Sequence, residues 1–302
     1  MIRHIRERRW CRRPMPFCKR QNRRAAALLL APSLAGVAVF YLLPFAEVLR
    51  RSFTDAMGRR FVGLTNYQTV LNNDAFRLAA ANTAKFVGIC IPLLLALSLI
   101  LALLVRATGP QRGKGFRSLF LLPMVIPVAS IVLLWKVLFA DSGLMNTALG
   151  AAGIPPIDFM GSDAAFWILI VTYLWKNSGY DMILWIAGLD RIPAAQYEAA
   201  AVDGANAWQM FRAITWPGLR PTLGITALLS LINSFKVFRE AYLVAGAYPH
   251  PSMYLLQHLF NNWFLNLELG RITAAAILVV LALLACGSIG LAVRRFQRRN
   301  QP

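Results

Sequence analysis

The chain has 302 residues, 58% hydrophobic and 15% charged, with a formal net charge of +19 and a mean hydropathy of +0.53. Those values exclude an ordinary soluble domain and point to an integral membrane protein with several spans. The positive charge gathers at the chain ends, which argues against a nucleic-acid partner and for contact with anionic membrane lipid.

Ten basic residues precede the first apolar run: Arg3, Arg6, Arg8, Arg9, Arg12, Arg13, Lys19, Arg20, Arg23 and Arg24. Residues 1–24 therefore read as a basic cytoplasmic tail. Cys11 and Cys18 lie there with His4, but the surrounding arginines disfavour a metal site. No CxxC pair occurs in the chain, and a cytosolic disulfide would not persist. Ala25–Leu49 is too long for the core of a cleavable signal and is predicted to stay as an anchor.

That run is the first of six long enough to cross about 30 Å of hydrocarbon. The others are Thr83–Val105, Leu119–Ala140, Ala164–Leu184, Thr222–Val244 and Ile272–Val293. Lipid offers backbone groups no partner, so such spans must be helical. The predicted fold class is all-α integral membrane, with six transmembrane helices in one domain (25–293). A basic tail, 294–302, closes the chain with Arg294, Arg295, Arg298 and Arg299. Both termini are predicted to be cytoplasmic.

The loops follow the same rule. Arg106, Arg112, Lys114 and Arg117 mark the second loop as cytoplasmic, whereas the third holds Asp141, Asp158 and Asp163 and no Lys or Arg. The first outer loop is the exception, with Arg50, Arg51, Arg59, Arg60 and Arg77 against Asp55 and Asp74. The N-terminal tail outweighs it. Gly109–Gly115, GPQRGKG, comes nearest to a phosphate loop, but it is one residue short between its glycines. Gly115 also stands where Ser or Thr would hold magnesium. It reads as a flexible basic turn. With no HExxH or GxSxG either, the chain is predicted to be no enzyme, with no metal, no cofactor and no catalytic residues of its own.

Glu47, Lys85, Lys136, Lys176, Asp181, Lys236, Arg239 and Glu240 lie in or at the edges of spans. Most are near an interface, where long side chains snorkel. Lys176 and Asp181 flank Asn177, Ser178 and Tyr180 beside a helix-weakening Gly179, the most polar stretch within a span. Ser230, Asn233, Ser234 and Lys236 make a second cluster. Such groups line a water-filled path or tie helices together, and both roles stay open. His250 and His258 share an outer loop with no carboxylate close by.

The loop Leu189–Pro221 is cytoplasmic in this topology. Pro193 suits a first helical turn, and Ala194, Ala195, Ala199, Ala200 and Ala201 favour helix. Gly204 allows a turn or a close backbone approach. Trp208, Phe211 and Thr215, with Ile214, form an apolar stripe. Pro217 and Pro221 are predicted to stop this helix before the fifth span. Glu198 and Asp203 lack a basic neighbour after Arg191, which suits a protein groove better than lipid headgroups.

Glu198–Pro221, EAAAVDGANAWQMFRAITWPGLRP, resembles the EAA loop of ABC-importer permeases, roughly EAAxxDGAxxxxxFxxIxLPxxxP. Glu198, Ala199, Ala200, Asp203, Gly204, Ala205, Phe211, Ile214, Pro217 and Pro221 match, and Trp216 replaces a leucine. FVGLTNY (Phe61–Tyr67), LLPMVIPVASIVLLWKVLF, GLMNTAL and WILIVTYLWKNSGYDMILWIAGLDRIPAAQYEAA are similar to the sugar-type branch, that of maltose and glycerol-3-phosphate permeases. Gly246-Ala247-Tyr248-Pro249 departs from the GGP common there.

The resemblance implies a bacterial inner-membrane subunit of an ATP-driven sugar importer. It implies a second permease subunit, two cytosolic ATPase subunits that bind ATP and Mg, and an extracytoplasmic solute-binding protein. It gives Glu198, Ala199, Ala200, Asp203, Gly204, Phe211, Ile214 and Pro217 to ATPase coupling, Glu198 pairing with a basic residue and Phe211 and Ile214 packing the seat. Asn177, Tyr180, Ser230 and Ser234 would line the path of a sugar or sugar-like solute. Two other readings stand beside it. One is an ion-driven secondary transporter, although the halves show no convincing repeat. The other is a membrane scaffold or sensor whose loop recruits a cytosolic partner.

Overall fold

The computed structural model describes residues 18–55 and 57–299. The basic stretch before residue 18, with Cys11 and His4, and residues 300–302 lie outside the described residues. The described residues are almost entirely helical, with one isolated bridge between Thr54 and Phe61. Among the described residues, five stretches are long and apolar enough to cross a membrane: Ala27–Ser52, Asp74–Ala107, Val128–Ala151, Ala207–Ala245 and Leu269–Ser288. The chain groups into two compact units, one built from its ends (up to Tyr67 and from Leu269) and one running Gln68–Glu268.

In the first unit α1 (Cys18–Val37) passes through a π turn, Ala38–Leu42, into α2 (Leu43–Ser52). The wide turn precedes Pro44, which has no N–H for a regular helical bond. Leu29, Phe40, Tyr41 and Leu43 stay exposed, as a helix facing lipid requires. The Glu47 carboxylate receives Arg50 Nε and Arg51 Nε, each at 2.8 Å. With Arg77 Nη1 3.8 Å from Asp74 Oδ1, three of the five arginines that break the charge rule have a carboxylate partner one turn away. The Asn66 amide donates to the carbonyls of Ser52 (3.0 Å) and Thr54 (2.8 Å), and Ser52 Oγ lies 2.7 Å from Tyr67 Oη. These bonds fold FVGLTNY back onto the end of α2, ahead of α3 (Thr65–Leu71).

The second unit begins with α4 (Asp74–Ala107), capped by the Asn73 side chain, which accepts from the Phe76 N–H. It continues through α5 (Gly109–Val125), α6 (Val128–Phe139), α7 (Leu144–Ala151) and α8 (Ala164–Leu189). Two expectations fail here. GPQRGKG is no loose turn: Gly109 reverses the chain at φ +82°, and the residues after it already belong to α5. The predicted third span is split between α5 and α6. Ile126 precedes Pro127 and is driven to an extended conformation, ψ 125°.

α8 matches the predicted fourth span as one continuous 26-residue helix. It is absent from the five apolar stretches because Lys176–Asp181 is too polar. It packs instead against α4, α5 and α11 (Trp216–Ser234), which follows the short α9 (Ala194–Val202) and α10 (Ala207–Met210). Gly179 is not a weak point. A Cβ there would run into the Phe120 carbonyl of α5, and one at Gly188 into the Thr222 side chain of α11. These glycines set the close helix crossings of the unit. Trp185 Nε1 donates to Ser98 Oγ (3.0 Å) across the buried α4–α8 interface. α12 (Phe238–Ala245) and α13 (Leu256–Leu265) complete this unit. Finally, α14 (Leu269–Arg299) returns to the first unit and packs on α2.

Candidate functional site

Two places in the second unit hold the residues expected to function: the α9–α10 loop and a cavity beside α8. The loop is defined by its ends. Pro193 is extended at the N-cap of α9, and Gly204 takes φ +77° just past its end. There the Gly204 N–H donates to the Ala201 carbonyl (3.1 Å) and the Ala205 N–H to the Ala200 carbonyl (2.9 Å), a Schellman closure. Nothing lies within 4 Å of a Cβ built on Gly204, so the requirement is conformational rather than close approach. α10 then opens on a reciprocal cap. Asn206 Oδ1 accepts from the Gln209 N–H (2.9 Å), and Gln209 Oε1 accepts from the Asn206 N–H (2.8 Å). The Asn-x-x-Gln spacing is its sequence signal, one that a reading for alanine and glycine passes over.

Glu198, Ala199, Asp203, Gly204 and Pro217 are exposed, and Ala200 is half-buried. The expected apolar stripe divides. Phe211 stacks on Trp208 (centroids 5.6 Å) and meets Trp216 (6.4 Å), with Trp208 left 68% exposed. Ile214 turns inward against the cluster of Trp185, Ile186 and Leu189, and the buried Thr215 hydroxyl meets Tyr197 Oη at 3.0 Å. The prolines do not stop the helix. A π turn, Phe211–Thr215, carries the chain through, with the Trp216 N–H reaching back to the Phe211 carbonyl. The wide turn accommodates the N–H that Pro217 lacks. Behind the loop is a cavity of about 410 Å³ lined by Leu103, Arg106, Tyr197, Glu198 and Thr215. Arg106 at the end of α4 donates to the Leu189 carbonyl (3.0 Å) and lies over the Tyr197 ring.

The second cavity, about 370 Å³, lies between the α5–α6 break (Ile126, Pro127), α8 (Tyr173, Lys176, Asn177) and the α11–α12 region (Asn233, Lys236, Arg239, Glu240). Lys176 Nζ meets Glu240 Oε1 at 2.5 Å, with side chains 16% and 5% exposed. Charges this buried persist only when paired. Of the four predicted path residues, Asn177 lines this cavity, and its amide donates to the Tyr173 carbonyl (2.9 Å). Tyr180 is half-buried and not part of the lining. Ser230 is buried and donates to Asp181 Oδ2 (2.6 Å), while the Tyr173 hydroxyl donates to its carbonyl (2.8 Å). Ser234 is buried with its hydroxyl on the Leu231 carbonyl (2.7 Å). Ser230 therefore joins helices, and Ser234 bonds within its own. Of the charges in or beside spans, Lys176, Lys236, Arg239 and Glu240 share one cavity, and Lys85 sits 4.5 Å from the Phe166 ring centroid.

His250 and His258 take different partners. His250 Nδ1 lies 2.9 Å from Ser252 Oγ. His258 is fully buried against the Phe238 ring (4.8 Å), and burial lowers its pKa to about 4, so it is neutral at pH 7.

Membrane-length helices, an exposed loop capped on both sides and a charged cavity within the helices describe a membrane component of a transport system. Residues 95–301 match the family described as binding-protein-dependent transport system inner membrane component, and the chain belongs to that family. It is a multi-pass protein of the inner membrane. It is 31% identical over 277 residues to the trehalose/maltose transport system permease protein MalF of Thermococcus litoralis, covering 90% of this chain and 94% of that one. It is 32% identical over 222 residues to the lactose transport system permease protein LacF of Rhizobium radiobacter, covering 71% and 74%. Its fold is similar to a chain of a bacterial ABC transporter involved in the import of the acidic polysaccharide alginate. The TM-score is 0.75 at 22% identity, with 95% and 99% of the two chains covered. Membership of a binding-protein-dependent family disfavours both the ion-driven and the scaffold readings.

Proposed function

We propose that this chain is one of two permease subunits of an ATP-driven sugar importer and that α9–α10 is its coupling element. Relatives named for trehalose/maltose, lactose and starch degradation products support a sugar-class solute. One similar structure is an alginate transporter in complex with a pentasaccharide-bound periplasmic protein, which supports a binding-protein partner. α8 supplies a sixth span to the five apolar stretches. At 1.5 Å per residue it is about 39 Å long, and its polar residues are covered by neighbouring helices.

The observation that carries the reading is mechanical continuity. The exposed loop runs through a π turn into the 39-residue stretch Ala207–Ala245, which reaches the cavity at Asn233 and Glu240. Two ATPase subunits holding ATP and Mg would seat Glu198, Ala199, Ala200, Asp203, Gly204 and Pro217, with Phe211 beneath Trp208. Ile214 would instead anchor the element to its own domain. ATPase closure would then move the loop as a rigid body and re-aim the cavity wall. With both termini cytosolic, the solute would pass along Asn177, with Tyr180, Ser230 and Ser234 supporting that wall.

The test is reconstitution with a second permease, an ATPase and a binding protein from the same organism, using trehalose, maltose and lactose as first probes. ATP-dependent uptake that needs the binding protein is the expected result. Uptake by this chain alone, without ATPase, would sink the proposal.

A further inference from the structure

The cavity beside α8 carries a charge imbalance that a neutral sugar does not require. Four formally charged residues line it: Lys176, Lys236, Arg239 and Glu240. Glu240 is committed to Lys176 in the buried pair. Lys236 Nζ is held by a neutral partner, Asn233 Oδ1, at 2.7 Å. Arg239 is exposed and forms no hydrogen bond or ion pair among the described residues. Two cations on one wall are therefore left without a carboxylate. Cations within a membrane helix are costly unless they face water or an anion. The buried Asp181 does not answer them, because it is taken by Ser230 and is not part of the lining. Beside the cations stand the Tyr173 ring and the polar side chains of Thr172 and Asn177, which suit a polyhydroxylated ring.

Resting on the sugar-importer reading, we propose that the transported solute is an anionic sugar. Its carboxylate or phosphate would be received by Arg239 and Lys236 while its ring lies against Tyr173 and Asn177. Arg239 offers a planar fork to either anion, and Lys236 a point charge that swings from Asn233. The Lys176–Glu240 pair sets the floor of the site, neutral overall and closed to a second anion.

The test is isothermal titration calorimetry on the assembled importer in detergent, free of nucleotide and binding protein. The probes are digalacturonate, glucose 6-phosphate and neutral maltose. At least one anionic probe should bind more tightly than maltose, and more weakly as salt rises. Its affinity should fall about tenfold in Arg239→Gln and again in Lys236→Gln, with Arg239→Lys retaining part of it. Both positions are exposed, so neither change threatens the fold. Digalacturonate binding alone assigns a carboxylate, and glucose 6-phosphate binding alone a phosphate. Binding of maltose alone, no binding of either anion, or anion binding that both glutamine variants leave unchanged overturns the proposal. Maltose binding lost in Asn177→Ala would still leave the sugar path standing, so the two ideas fail separately.

Discussion

The loop Ala194–Met210 and the cavity beside α8 are held by opposite kinds of interaction. Each bond that shapes the loop's turn spans no more than five residues, from Gly204 to Ala201, Ala205 to Ala200, and Asn206 to Gln209 in both directions. The cavity depends on pairs far apart in sequence: Lys176 with Glu240, Tyr173 with Ser230, Asp181 with Ser230. The loop is exposed and able to change partners at little cost. The cavity wall sets exposed Lys236 and Arg239 beside the buried Lys176–Glu240 pair, whose charges need each other within the fold. A joint that meets another protein needs local rigidity, and a path through lipid needs long-range closure.

That contrast predicts lost uptake with at most a local loss of stability at the loop, and a large loss of stability at the Lys176–Glu240 pair. Glu198→Lys should abolish uptake in the assembled importer while membrane insertion and thermal midpoint stay unchanged, because the side chain is exposed. Uptake that survives the change would remove Glu198 from coupling. Glu240→Ala strands Lys176 as a buried charge and should cost about 3–5 kcal/mol, read as a lower unfolding midpoint. Replacing both, Lys176→Met with Glu240→Leu, should recover most of that loss, and failure to recover would mean that Glu240 acts by packing. Gly204→Val forces a β-branched residue to φ +77° and should cost about 1–2 kcal/mol locally. Reduced recovery of the ATPase in co-purification is its readout, and full recovery would sink the turn's role. Asn206→Ala removes one half of the cap and should cost about 1 kcal/mol. Its effect should show as faster amide exchange confined to α10, whereas exchange spreading into α8 would break the distinction between the two regions.

Much of the loop was legible because its determinants are local. Alanines and Gly204 announce a helix and a turn within one short window. The prolines misled for the opposite reason. Pro217 and Pro221 read as stops, yet the π turn at Phe211–Thr215 absorbs the missing bond and the helix continues. Pro127 acted more strongly than expected and split a predicted span, since the residue before proline is driven out of helical geometry. Of the predicted path residues, Asn177 lines the cavity and Ser230 is buried with its hydroxyl on Asp181. The type of a polar side chain says that it needs a partner, and only the fold says whether that partner is solute or Asp181.

Composition and periodicity alone determined that this is an all-helical membrane protein, because lipid allows an apolar run no other way to satisfy its backbone. Local capping chemistry fixed the shape of the loop. The gathering of Lys176, Lys236, Arg239 and Glu240 around one cavity was decided by the tertiary structure. Close crossings at Gly179 and Gly188 set how α8 meets its neighbours, and those contacts lie dozens of residues apart, where no sequence window reaches.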